Sequence, residues 1–310
     1  MRVVFLGTPV FAVPSLLRLA ASRHEVVAVV TNPDRAAGRG RKLRPPPVKV
    51  AAVELGLPLL QPESPKEPGL IARLTELAPD AFAVIAFSLL PKELLAVPRL
   101  GSVNVHPSLL PAYRGAAPII WALFDGCTDT GISTFLLNPR MDAGDLLLQE
   151  HLRIGDSETA GELEARLAVD GADLLVRSLD GLQDGTIKPQ AQSTQGASRA
   201  PKLTREDARL DWTWPAAQVF NRIRGANPVP GAFTTWAGGS LKVHRAELTP
   251  DGGTPGVVLT ASKDEGLVVA CGQGALRLLD VQPEGRPRMA ADAFLRGSPL
   301  TAGTLFGTGH

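Results

Sequence analysis

Hydrophobic and polar positions in the first third of the chain follow the pattern of a buried parallel sheet. Short apolar runs at 2–6, 25–31 and 80–87 each end at a glycine or polar residue, which is typical of strands covered on both faces. Between the first two runs, apolar residues recur at helical spacing over 11–20. This strand–helix–strand order predicts an α/β domain with helices on the faces of a parallel sheet.

The second half of the chain carries different patterns. Residues 157–181 read as a long amphipathic helix that begins with a Thr159/Glu162 capping box. A polar stretch without acidic residues follows at 190–202 and predicts a linker. Short β-rich runs separated by glycine turns then predict a small antiparallel barrel, with strands over 232–236, 241–248, 256–260, 266–270 and 275–281. We therefore expect domains at 1–189 and 205–310, joined by a linker at 190–204.

Composition narrows the class of protein further. The 310 residues are 44% hydrophobic and 20% charged, with a formal net charge of +1. The net charge alone therefore gives no reason to expect a polyanionic partner. Cys127 and Cys271 are the only cysteines, and their wide separation argues against a zinc cluster or a disulfide framework. No apolar run approaches the roughly 20 residues that span a bilayer. These features predict a cytoplasmic protein.

A basic stretch at 32–47 has no hydrophobic period and is rich in glycine and proline. We expect a long loop without secondary structure, of the kind that is usually functional or disordered. Composition alone leaves two interpretations open: a solvated mobile loop, or an arm that contacts phosphates. One acid, Asp34, accompanies six basic residues in and next to this loop: Arg35, Arg39, Arg41, Lys42, Arg44 and Lys49.

The candidate chemistry lies in the stretch 102–118. An alternating run ending at Pro107 predicts a strand in which Asn104 and His106 face the same side. An amide can stabilise a developing oxyanion, and an imidazole can move a proton near pH 7. Asp142, in a polar turn at 138–145, is either a partner of His106 or an ordinary turn aspartate. An amide and an imidazole together suit the attack of an amine on a carbonyl.

The residues NVHPSLLPAYRGAAP at 104–118, followed by MDAGD at 141–145, closely resemble the folate-dependent formyltransferase family. The resemblance implies a Rossmann-like catalytic domain, a C-terminal OB-like barrel and 10-formyltetrahydrofolate as co-substrate, without a metal. It implies that Asn104, His106 and Asp142 are catalytic. It also implies a folate site formed by Phe87, Ser88, Leu89, Leu90, Ser108, Leu109, Leu110 and Pro111. In this site, Phe87-Ser88 replaces the family's usual tyrosine-glycine pair.

Within that family, the opening motif LGTP at 6–9 and the basic stretch at 34–50 are similar to members that formylate methionyl-tRNA. The resemblance then implies formyl transfer to the amino group of methionyl-initiator-tRNA in translation initiation, by a monomer whose 205–310 domain helps to bind the RNA. Three alternatives stay open. They are the same chemistry on a small amine, such as an amino-sugar nucleotide, a non-catalytic RNA-binding protein, and a hydrolase that releases formate from the same folate. The implied tRNA-binding residues are Arg35, Arg39, Arg41, Lys42 and Arg44.

Overall fold

The computed structural model describes residues 1–37, 42–237 and 239–307, and the contacts within it divide the chain into two compact units. The first unit contains Met1–Pro118, Asp129–Arg153 and Glu164–Ala200. The second contains Ile119–Thr128, Ile154–Leu163 and the chain from Pro201 onward. The expected domains at 1–189 and 205–310, with a linker at 190–204, stay a prediction.

The described strands of the first unit are β1 (Arg2–Gly7), β2 (Glu25–Val30), β3 (Arg35–Ala37), β4 (Lys42–Arg44), β5 (Leu59–Leu60), β6 (Ala81–Ile85), β7 (Ser102–His106), β8 (Arg114–Gly115), β9 (Asp129–Leu136), β10 (Leu146–Arg153) and β11 (Arg199–Ala200). Seven of them form a mixed sheet with the order β10-β9-β7-β6-β1-β2-β5. The α-helices within the described residues of both units are α1 (Val13–Ala20), α2 (Pro47–Glu54), α3 (Pro68–Glu76), α4 (Lys92–Leu95), α5 (Pro118–Phe124), α6 (Ala160–Asp184), α7 (Ala216–Gly225) and α8 (Ala291–Leu295).

The predicted parallel sheet is confirmed for β1, β2, β5, β6 and β7, which pair in parallel. Every residue of β6 is buried, as expected for a strand at the centre of a sheet with both faces covered. Beyond β7 the pairing is antiparallel instead: β9 pairs with β7, and the edge strand β10 pairs with β9. A short turn joins β9 to β10, and a connection of that length permits only antiparallel pairing.

The expectation of an unstructured loop over 32–47 is wrong. Strands β3 and β4 form an antiparallel hairpin, with Arg35 opposite Arg44, and α2 already begins at Pro47. At its base, Lys49 Nζ donates to both Asp34 carboxylate oxygens at 2.8 Å, and Gln61 Nε2 donates to Asp34 Oδ1 at 2.9 Å. These bonds, Gln61 first and then Lys49, lower the pKa of Asp34. The carboxylate anchors the first residues of the hairpin.

The second unit contains the predicted antiparallel sheet. Its order is β12-β13-β16-β15-β14, and β17 pairs with β16. Its core packs residues of α7, such as Val219 and Ile223, with alternate strand residues such as Leu241 and Leu278. The described strands are β12 (Ala232–Trp236), β13 (Gly239–Thr249), β14 (Val258–Ser262), β15 (Gly266–Ala270), β16 (Ala275–Pro283) and β17 (Met289–Ala290).

The predicted capping box at the start of α6 is confirmed. The Thr159 backbone N–H donates to Glu162 Oε2 at 2.9 Å, and the Glu162 N–H donates to Thr159 Oγ1 at 3.4 Å. These reciprocal bonds satisfy backbone donors that the first helical turn leaves free. Among the described helices, none is both long and apolar enough to cross a membrane.

Candidate active site

Strand β7 carries the first two residues of the predicted site. Asn104 lies opposite Val84 of β6 and Phe135 of β9. Two positions on, His106 is buried with 5% of its surface exposed, and alternate residues of a strand face the same side. Within the described part of the chain, the half-buried Asn104 amide forms no hydrogen bond, so its N–H groups remain available to a bound molecule.

The His106 ring is held by a backbone carbonyl and approached by a carboxylate. Its Nε2 lies 2.9 Å from the Tyr113 carbonyl oxygen. Because a carbonyl only accepts hydrogen bonds, Nε2 carries the proton of the neutral ring and Nδ1 keeps its lone pair. That Nδ1 lies 3.9 Å from Asp142 Oδ2, too far for a hydrogen bond. The Tyr113 carbonyl therefore fixes the tautomer, and the lone pair faces the Asp142 side of the ring.

Burial and charge act in opposite directions on His106. Burial is the largest effect and lowers the pKa of the imidazole, while the Asp142 carboxylate and the bond to Tyr113 raise it. The balance keeps the pKa below its usual value. His106 is therefore neutral at pH 7 and able to accept a proton.

The backbone around Asp142 adopts conformations that few residues tolerate. Asp142 and Tyr113 have φ angles of 48° and 56°, in the left-handed region where side chains cost free energy. The Gly115 N–H donates to Asp142 Oδ2 at 2.8 Å. Gly115 itself has a φ of 129°, and a Cβ there would collide with the Ala200 carbonyl oxygen. A glycine at 115 thus brings a backbone donor to the carboxylate.

Hydrogen bonds hold the loop at 108–111 against β9 and β10. Ser133, which is fully buried, accepts from the Leu110 N–H at 3.0 Å and donates to the Ser108 carbonyl at 2.7 Å. Gln149 Nε2 adds bonds to Ser133 Oγ at 2.8 Å and to the Leu110 carbonyl at 2.9 Å. Leu109 and Pro111 remain half-buried above this network. The loop is thus held in place by bonds to side chains of β9 and β10.

The segment predicted to complete the folate site directly follows β6. Its side chains differ in exposure: Phe87 is half-buried, Ser88 is exposed and Leu89 is 63% exposed. Leu90 is buried in a core cluster with Leu70 and Leu94, and Phe87 packs against the same cluster. The segment thus exposes Ser88, Leu89 and part of Phe87 at the carboxyl end of a central strand, where open α/β sheets bind ligands.

Three of the predicted RNA-binding cations lie on the described strands β3 and β4: Arg35, Lys42 and Arg44. The side chains of Arg35 and Arg44 are exposed. Arg39 and Arg41 lie outside the described residues, as does the side chain of Lys42. In the second unit, a cavity of about 560 Å³ is lined by Arg205, Arg209 and Lys242, together with aromatic Phe233 and Trp236 and acidic Glu206 and Glu284.

Several residues that shape the site were missed by the sequence analysis. Tyr113 and Gly115 stood in a noted motif, but their contributions are backbone groups, which residue types do not reveal. Ser133 and Gln149 lie on β9 and β10. The apolar residues around them predict the strands but do not indicate a role for these two polar side chains. Gln192 lies in the polar stretch interpreted as a linker, yet its side chain donates to the Asp142 and Gly144 carbonyls.

An amide and a neutral imidazole on the last residues of β7, with a carboxylate beside the imidazole, are groups suited to the transfer of a carbonyl group to a nucleophile. Comparison with known families makes the class specific. The family model described as formyl transferase matches residues 1–179, and that described as formyl transferase, C-terminal domain, matches residues 202–299. The chain belongs to the formyl transferase family, as its motifs predicted.

Known relatives resemble the chain over nearly its whole length. The methionyl-tRNA formyltransferase of Geobacter metallireducens is 44% identical over 308 residues, covering 99% of each chain. That of Frankia alni is 48% identical over 307 residues, covering 97% of this chain and 92% of the relative.

Solved structures share the fold at lower identity. HypX from Aquifex aeolicus matches with a TM-score of 0.67 and 19% identity, over 96% of this chain and 48% of that protein. An N-formyltransferase from Helicobacter canadensis, crystallised with folinic acid and dTDP-3-aminofucose, matches with a TM-score of 0.64 and 17% identity, over 89% of this chain and 98% of that one.

Proposed function

We propose that this chain transfers the formyl group of 10-formyltetrahydrofolate to the amino group of methionyl-initiator-tRNA. The observation that carries the proposal is the neutral His106, whose Nδ1 lone pair faces the Asp142 side of the ring, on the same strand as an Asn104 amide with free donors. Relatives at 44% and 48% identity that are named methionyl-tRNA formyltransferase support the choice of acceptor.

Three side chains share the chemical step. Asn104 donates a hydrogen bond to the formyl oxygen as the amine attacks the formyl carbon and a new C–N bond forms. His106 Nδ1 accepts the proton that the amine loses. His106 then returns this proton to folate N10 as the bond between N10 and the formyl carbon breaks. Asp142 stabilises the imidazolium between the two transfers. Atoms and charge balance, because the proton that the amine loses ends on N10 and the formyl group that N10 loses ends on the amine.

The remaining parts of the chain bind the two substrates. We assign folate binding to Phe87, Ser88, Leu89 and Leu90 and to the loop Ser108, Leu109, Leu110 and Pro111. A catalytic domain at 1–189 and a linker at 190–204 precede the RNA-binding domain at 205–310, where Arg205, Arg209 and Lys242 line one cavity. We assign contact with the RNA backbone to the basic residues of the 34–50 stretch: Arg35, Arg39, Arg41, Lys42 and Arg44. Phosphate contacts of this kind supply affinity more than sequence readout.

The cellular setting follows from the same proposal. Translation initiation places the enzyme in the cytoplasm, where the thiols of Cys127 and Cys271 stay reduced. We propose that it acts as a monomer.

A competition among acceptors tests the proposed function. Radiolabelled 10-formyltetrahydrofolate is offered with methionyl-initiator-tRNA, free methionine and an amino-sugar nucleotide in one reaction. We expect label in the tRNA fraction alone, in a form that base hydrolysis releases as formyl-methionine. Label in the amino-sugar nucleotide would replace the RNA acceptor with a small amine, and no label in any acceptor would reject the activity.

A further inference from the structure

The polar segment at 190–200 is hydrogen-bonded to other parts of the first unit. Gln190 and Leu146 exchange backbone hydrogen bonds at 2.7 and 2.9 Å. Ser198 accepts from the Tyr113 N–H through its hydroxyl at 2.8 Å and from the Arg114 N–H through its carbonyl at 3.0 Å. Strand β11 then pairs in parallel with β8. The segment thus follows the Tyr113 loop, whose carbonyl orients His106.

One side chain of this segment joins both loops that meet at the site. The Gln192 carbonyl oxygen accepts from Arg114 Nε at 3.1 Å and from Arg114 Nη2 at 2.6 Å. Its Nε2 donates to the Asp142 carbonyl at 3.0 Å and to the Gly144 carbonyl at 2.7 Å. Both ends of the amide are therefore satisfied, one by each loop. Neither contact reaches His106 or Asn104.

Only a side chain with an acceptor at one end and two N–H donors at the other can form all four of these hydrogen bonds. A primary amide supplies that combination, whereas a carboxylate accepts at both ends. The Asp142 backbone that receives the donors is in the left-handed region, a conformation that persists where surrounding bonds enforce it. The Gln192 donors are among the bonds that enforce it.

We infer that Gln192 is a positioning residue, which sets the distance between the Asp142 carboxylate and His106 by clamping the 142–144 turn to Arg114. Its catalytic meaning rests on the proposed function, whereas its effect on the turn does not. The segment at 190–200 is accordingly part of the catalytic apparatus as well as a connection between domains.

Three variants separate the contributions. Gln192→Ala removes both ends of the clamp. Gln192→Glu keeps an acceptor for Arg114 but loses the donors to the turn. Gln195→Ala is the matched control, because Gln195 is an exposed glutamine of the same segment. Formyl transfer to methionyl-initiator-tRNA is measured from pH 5 to 8, and hydrogen exchange of peptides covering 113–117 and 138–145 is measured on the full chain without substrates.

We expect Gln192→Ala and Gln192→Glu to lower kcat about 10- to 100-fold, in line with the cost of misplacing a group by about 1 Å. The KM for folate should stay within twofold and the melting temperature close to that of the wild type. Because Asp142 raises the pKa of His106, its displacement should move the acid limb of the kcat profile to lower pH. Both variants should also speed exchange at 113–117 and 138–145, and Gln195→Ala should change nothing.

The inference is overturned if Gln192→Ala retains wild-type kcat and exchange, or if kcat falls with an unmoved acid limb and a large loss of melting temperature. If Gln192→Ala lowers kcat but Gln192→Glu keeps the wild-type kcat, the proposed role of the Nε2 donors to the turn is overturned. If the wild type itself transfers no formyl group, the proposed function fails. The exchange of 138–145 then decides the clamp alone: faster exchange in Gln192→Ala supports it, and unchanged exchange rejects it.

Discussion

Replacing Asp142 by asparagine removes one charge from the site and little else. The side-chain oxygen of the introduced asparagine can still accept the Gly115 N–H, which Asp142 Oδ2 accepts at 2.8 Å. Asparagine also tolerates the left-handed conformation that Asp142 adopts. The Asp142→Asn variant therefore isolates the electrostatic effect of the carboxylate on His106.

The size of that effect follows from the distance. Two unit charges 3.9 Å apart attract by about 4 kcal/mol at an effective dielectric constant of about 20. The two side chains are 6% and 16% exposed, so water screens the pair only weakly. A loss of about 4 kcal/mol is about 10³-fold in rate. Because the imidazolium is only partly formed in the transition state, we expect kcat to fall about 10²- to 10³-fold.

Single-turnover formylation of methionyl-initiator-tRNA from pH 5 to 8 measures this effect. The acid limb should move to lower pH, because the carboxylate raises the pKa of His106 while burial lowers it. Asp145→Asn, which neutralises an exposed carboxylate in the same turn, should leave both the rate and the limb unchanged. A folded Asp142→Asn protein with a rate within threefold of the wild type would refute the reasoning, as would an acid limb that moves to higher pH.

Three further predictions concern the oxyanion, the hairpin and stability. Asn104→Ala should lower kcat about 10²- to 10³-fold with unchanged folate affinity, and an unaltered single-turnover rate would contradict this role. Reversing both charges in Arg35→Glu/Arg44→Glu should raise the KM for methionyl-tRNA at least tenfold, flatten its salt dependence and spare the KM for folate; equal losses for both substrates would argue against the assignment. The free energy of unfolding measured in urea should be highest above pH 6.5, the usual pKa of histidine. It should fall as the pH drops below that value, because the unfolded chain then binds protons on histidines that stay neutral while buried. A flat profile from pH 7.5 to 5 would rule out the pKa lowering by burial found for His24, His106 and His244.

The elements that hydrophobic period defines could be predicted from the sequence. Strand β6, α6 with its capping box and the strands β12 to β16 lie within a few residues of their predicted limits, whereas the two-residue strand β17 was not predicted. Periodicity works there because each element buries a continuous apolar face. Hydrophobic period gives no signal in polar segments, so it does not predict the strands β3 and β4.

The candidate site was predictable as residue types but not as geometry. Asn104, His106 and Asp142 stand in motifs of a known family, and alternation placed the first two on one face. What orients His106 is a carbonyl of Tyr113, and what holds Asp142 is an N–H of Gly115. Backbone groups have no sequence signature. The bonds of Gln192 depend on the fold bringing residue 192 beside residues 114 and 142–144, which local spacing cannot indicate.

The most direct test of the central claim, that His106 moves the proton during formyl transfer, is the single-turnover rate of His106→Ala with saturating 10-formyltetrahydrofolate and methionyl-initiator-tRNA. The rate should fall about 10²- to 10⁴-fold, the range for a positioned general base, and the remaining rate should lose the acid limb that the wild type shows. Folate and tRNA affinities should stay near those of the wild type. A rate within threefold of the wild type, or an acid limb that survives the substitution, would contradict the account.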